Sequence, residues 1–84
     1  MPVSGLVVSV ADDESARRVA ERIARDGSFT LGGRVGLRLS VALDAADGPT
    51  AERRHEWLRQ LPGVVKVDVA FVYTDPAEEL THAN

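Results

Sequence analysis

The sequence predicts an α+β sandwich, a four-stranded antiparallel sheet with two helices on one face, and three observations lead there. Apolar residues recur with period two, then with helical spacing, in the order strand, helix, strand, strand, helix, strand. Turn and helix-stop residues fall where the period changes, at Asp26-Gly27, Gly32-Gly33, 45–49 and Pro62-Gly63. A length of 84 residues suits one two-layer core and leaves no room for a separate catalytic domain.

The first strand begins near Val3. Leu6, Val8 and Val10 alternate there with Gly5, Val7 and Ser9, and Val7 is the apolar residue out of phase. Asp12 or Asp13 caps the first helix, whose thin stripe is Ala16, Val19, Ala20 and Ile23, with arginines on its other sides. Asp26-Gly27 ends it. A weak strand over 28–31 sets Phe29 and Leu31 on one face, and Gly32-Gly33 predicts a tight hairpin. Val35, Leu37, Leu39, Val41 and Leu43 then form an unbroken period-two series opposite Gly36, Arg38, Ser40, Ala42 and Asp44.

Asp47 or Gly48 caps the second helix, with Pro49 at its first position, and Trp57, Leu58 and Leu61 carry it to about Leu61. Pro62-Gly63 drops the chain into the last strand. Its alternation assigns Val65, Val67, Val69, Phe71 and Tyr73 to the core and Lys66, Asp68, Ala70 and Val72 to the other face. Periodicity stops at Thr74, so residues 1–75 read as one domain and 76–84 as a flexible acidic tail. For this element order the expected arrangement is the ferredoxin-like βαββαβ sandwich, with the first and third strands central.

Composition excludes several classes of function. The chain has no cysteine, so disulfides, thiolate metal sites and cysteine nucleophiles are absent. A net charge of −3 disfavours nucleic acid and anionic membranes. The opening MPVSGLVVSV lacks a basic leader and its apolar run is strand-length, which gives a cytoplasmic expectation.

With helices on one side only, function is to be sought on the open face of the sheet. Alternation lists it as Gly5, Val7, Ser9, Arg38, Ser40, Ala42, Lys66, Asp68, Ala70 and Val72. These are mostly small residues, a platform that a helix or peptide could approach closely; a homodimer through the same face is the competing occupant. No aromatic falls there by alternation, so RNA stacking is disfavoured. The loop Ala11-Asp12-Asp13 has neither thiols for a metal nor glycines and bases for a phosphate. His55 and His82 read as plain surface residues, and the arginines, interspersed with Asp13, Glu14, Glu21, Glu52 and Glu56, as salt-bridged helix faces. Trp57 reads as a core anchor or an edge-of-core lid. No catalytic residue, metal ligand or cofactor site is indicated.

The stretches Val3-Ser4-Gly5-Leu6-Val7-Val8, Leu61-Pro62-Gly63-Val64 and Val69-Ala70-Phe71-Val72-Tyr73 resemble the NapD family, assembly chaperones of periplasmic nitrate reductase. The resemblance implies a cytoplasmic, non-enzymatic ferredoxin-like protein. Its partner would be the twin-arginine signal peptide of a molybdenum-containing precursor, held back from export until the cofactor is inserted. On that reading Gly5, Val7, Ser9, Arg38, Ser40, Ala42, Asp68, Ala70 and Val72 form the peptide surface. Asp68, with Asp44, Asp47 and Asp75 near strand ends, would offer carboxylates to guanidinium groups. The alternative is a regulatory dimer of the same fold that binds a small molecule. A small hydrolase of acylphosphatase type, built on Arg38, is disfavoured by the acidic loop at Asp12-Asp13.

Overall fold

The computed structural model describes residues 3–73, apart from the side chain of Tyr73; the expected tail, with Asp75 and His82, lies outside them. The elements are β1 (Val3–Val10), α1 (Asp13–Arg25), β2 (Phe29–Val35), β3 (Arg38–Asp44), α2 (Gly48–Arg59) and β4 (Val64–Tyr73). They form the expected ferredoxin-like fold. The sheet is antiparallel in the order β2-β3-β1-β4, so β1 and β3 are central.

Both helices start on an aspartate. The Asp12 carboxylate accepts from the Ser15 backbone N–H at 2.7 Å, and that of Asp47 accepts from Thr50 N–H at 2.8 Å. In α1, Asp13 and Glu14 lie in the first turn and Arg22 and Arg25 in the last, complementing the helix dipole at both ends. The helix stops at Asp26, which leaves helical geometry in an extended conformation rather than through a left-handed glycine. Helix α2 ends at Arg59, two residues before the expected Leu61.

The core lies between the helices and the sheet. Leu6, Val8, Val10, Leu39, Val41 and Leu43 meet Ala16, Val19, Ile23, Leu58 and Leu61 there, all buried. Trp57 closes its edge, stacked on Phe29 with ring centroids 5.6 Å apart, while the Arg54 guanidinium lies over the indole. Gly63, with φ of 92°, turns the chain into β4 directly beneath Ser15. A side chain at Gly63 would meet the Ser15 Cβ at 2.6 Å, so this glycine is required both for the turn and for the approach of α1.

Three expectations need correction. The hairpin is not at Gly32-Gly33: β2 runs through both glycines, and the chain turns at Gly36-Leu37, between paired Val35 and Arg38. Gly36 there has φ of 59° and Leu37 has a negative φ, the pattern of a type II′ turn. The two glycines instead form a bulge, because Leu31 pairs with Val41 and Arg34 with Leu39. In consequence Val35 and Leu37, assigned to the core series, are exposed at the hairpin end.

The third correction concerns β4. Its register against β1 shifts twice, with Val10 opposite Val64 and Ser9 opposite Lys66, then Leu6 opposite Val69 and Gly5 opposite Phe71. Val65 and Ala70 are the extra residues. Each extra residue inverts the alternation beyond it. Phe71, expected in the core, is exposed on the open side, and Val72, expected on the open side, stands opposite Ser4 on the helix side. Tyr73, also expected in the core, takes register with Val3.

Candidate functional site

The open face can be built row by row across β3, β1 and β4, since directly paired residues present their side chains on one face. Nearest the hairpin lie Arg38, Ser9 and Lys66; next come Ser40, Val7 and Asp68; then Ala42, Gly5 and Phe71; and last Asp44, Val3 and the register position of Tyr73. Thr30 extends the third row onto β2. The cationic side chains occupy one end and the carboxylates the middle and far end. Between them the floor is small and neutral.

Of the residues assigned to this face from the sequence, Gly5, Val7, Ser9, Arg38, Ser40, Ala42 and Asp68 are brought together on it. Ala70 is exposed at the bulge between rows, without a β1 partner, and Val72 is not on the face. Phe71 is the open-face residue that alternation missed. Its ring fills the space above Gly5, where an added Cβ would clash with the ring carbon Cε1, and it remains 57% exposed. An aromatic side chain therefore stands at the β4 margin of a floor otherwise made of small groups. Among sequence signals, Gly5 in a strand interior was the available hint of a close approach.

The carboxylates differ in availability. Asp68 pairs with Lys66 at 3.4 Å, both side chains more than half exposed, so the contact is weak and exchangeable. Asp44 is exposed. Asp47 is committed to the α2 cap, where the Thr50 hydroxyl and backbone N–H hold its carboxyl below the usual range. It is not an acceptor at the face.

Elsewhere several surface arginines are paired with carboxylates. Arg17 bonds to Glu14 and Glu21, Arg18 to Glu14, and Arg59 to Glu56, as the helix spacing implied. Arg34 reaches from β2 to Asp13. Arg54 bonds to Asp26 at 2.7 Å, a half-buried pair that joins α2 to the end of α1. His55 is more enclosed than a plain surface residue. Burial and the nearby Arg59 lower its pKa, and its Nε2 is buried without a hydrogen-bond partner. It lines a shallow hollow on α2 with Pro49, Glu52, Arg53, Glu56 and Arg59. Among the described residues no group of histidine and carboxylate side chains could hold a metal ion. No described helix is long and apolar enough to cross a membrane.

The N-terminus of α1, whose backbone donors are of the kind that bind anions, is filled by the protein's own Asp12. Its carboxyl is held low by the Ser15 backbone N–H and hydroxyl. An acid in that position excludes a second anion from the same donors.

The layering and topology thus define a ferredoxin-like domain with helices on one face and an open, small-residue face on the other. The solution structure of the E. coli Tat proofreading chaperone protein NapD is similar over 88% of this chain and 79% of that one, with a TM-score of 0.75 at 20% identity. The chain has a NapD-like fold. No protein-family model matches the sequence, and no curated protein matches it significantly.

Proposed function

We propose that this chain is a cytoplasmic NapD-like chaperone that binds the twin-arginine signal peptide of a periplasmic molybdoenzyme precursor, with nitrate reductase as the client. The observation that carries the reading is the open face, a floor of Gly5, Val7, Ser40 and Ala42 bounded by Phe71 on β4 and by the acids Asp68 and Asp44. Small floor residues let a helical or extended peptide approach the sheet closely. Phe71 offers an aromatic surface to its apolar segment, and the carboxylates offer two-point acceptors to guanidinium groups. Arg38 and Lys66 repel the arginine pair from the opposite end, which gives the peptide a direction. The fold shared with a Tat proofreading chaperone supports the same reading.

Calorimetric titration with a twin-arginine signal peptide, beside a twin-lysine version, tests it. Binding should occur and should weaken about tenfold or more with lysine, which lacks the planar fork. Replacing Ala42, in the middle of the floor, with arginine should abolish binding without unfolding the protein, and Phe71→Ala should weaken it by about tenfold, the scale of an aromatic contact. Absence of heat together with an unchanged melting temperature would remove the proposal for that client, leaving a small-molecule-binding dimer as the reading to test next.

A further inference from the structure

We infer that the free edge of β4 is a homodimerisation edge, pairing antiparallel with β4 of a second copy about a two-fold axis at Val67. Among the described residues β4 has a strand on one side only, and it runs for ten residues, longer than either central strand. It carries Val65, Val69, Phe71 and Val72, four of the six exposed large apolar side chains among the described residues. Such an edge templates pairing unless it is blunted. The opposite edge, β2, is blunted: a Gly32-Gly33 bulge interrupts it and Arg34 lies within it, tied to Asp13. On β4 the extra residues fall at Val65 and Ala70, which leaves 66–69 in regular register, free of proline and glycine.

The strand's own charge order fits a second copy of the same strand. A two-fold at Val67 sets Lys66 opposite Asp68 of the second copy and Asp68 opposite its Lys66, so both cross-strand pairs are attractive. The same register sets exposed Val65 against exposed Val69 at both ends. Because the axis is perpendicular to the sheet, the two open faces would lie on one side and all four helices on the other. The inference does not depend on peptide binding.

Sedimentation equilibrium from about 1 μM to about 1 mM, the range of weak association, reads the dimer directly. Asp68→Lys and Lys66→Asp each place like charges opposite one another at both pairs and should raise the dissociation constant about tenfold or more. Mixing the two variants restores opposite charges and should give a heterodimer, and the double exchange K66D/D68K should recover homodimerisation. Register is read with single cysteines in this cysteine-free chain. Val67→Cys should cross-link to itself. Val65→Cys should not, because position 65 and its copy stand four residues apart, roughly 13 Å at strand rise and beyond the roughly 7 Å reach of a disulfide. Circular dichroism confirms that each variant folds. A dimer broken by Ala42→Arg but indifferent to the charge reversals would be a face-to-face dimer and would overturn the inference. A monomer at every concentration would overturn it too, leaving the edge to residues 74–84 or to an extended peptide.

Discussion

Strand β1 is bonded to β3 on one side and to β4 on the other, and the two pairings are unlike. Against β3 it runs through seven consecutive pairs, Val3 with Asp44 to Ser9 with Arg38, without a break. Against β4 the register shifts at two places. The unbroken side is the core of the molecule, with Leu39, Val41 and Leu43 all at 3% exposure or less. The shifted side carries four exposed apolar side chains, Val65, Val69, Phe71 and Val72. Alternation is thus enforced where burial on one face makes a slip costly, and is relaxed where the strand faces solvent on its outer side.

The two sides of β1 should contribute unequally to stability. Leu43→Ala on β3 should cost about 2–5 kcal/mol, whereas Val69→Ala on β4, half exposed, should cost under about 1 kcal/mol. Urea unfolding monitored by tryptophan fluorescence distinguishes them, and equal losses would show that β4 is as much core as β3. At the entry to β4, Gly63→Ala should cost about 1–3 kcal/mol, because a left-handed φ and contact with Ser15 oppose the new methyl together. A small loss would mean that the junction yields without strain.

The close approach of Phe71 to Gly5 should couple the two residues energetically. Gly5→Ala should destabilise the wild type yet be tolerated beside Phe71→Ala, with a coupling of about 0.5–3 kcal/mol in a double-mutant cycle. Additive losses would separate the ring from the glycine. The smallest effect expected is in acid, and it belongs to the helix layer rather than to β4. Burial acts to raise the Asp26 carboxyl, but donation from Ser28 and the Arg54 guanidinium outweigh it, leaving its pKa below the ordinary 3.8. Its contribution is therefore complete above that value and is lost as pH falls through the lower folded value. Asp12 and Asp47, also lowered, act in the same sense. Arg54→Gln should flatten the acid limb of a stability profile; an unchanged limb would assign acid sensitivity to the caps alone.

Most of the fold was legible in the sequence because each signal was local. Asp12 and Asp47 cap where cap residues were expected, and the stripe Ala16, Val19 and Ile23 faces the sheet. The salt-bridged helix faces followed from spacing. The errors fall where one residue changes the phase of everything after it. Gly32-Gly33 has the chemistry of a turn and of a bulge alike, and Gly36 took the turn because a two-residue loop there keeps Leu39, Val41 and Leu43 inward. The candidate site was legible on β1 and β3 for the same reason: Gly5, Val7, Ser40 and Ala42 share an unbroken register. On β4 it was legible only between the shifts, so Asp68 was placed correctly, whereas Phe71 and Val72 were exchanged. The Arg54–Asp26 pair spans residues 28 apart, and no periodicity within one helix could signal it.

The position of Ala70 bears on how relatives of this chain can differ in length. Because Leu6 opposes Val69 and Gly5 opposes Phe71, a chain without Ala70 would keep both pairs and the same two faces. Loss of that residue is silent to the layering, whereas a deletion at Val67 or Asp68 would turn part of the strand over. Alignments of similar domains should therefore tolerate a one-residue gap at this point of the last strand, and forcing the columns into step there would match an inward side chain with an outward one.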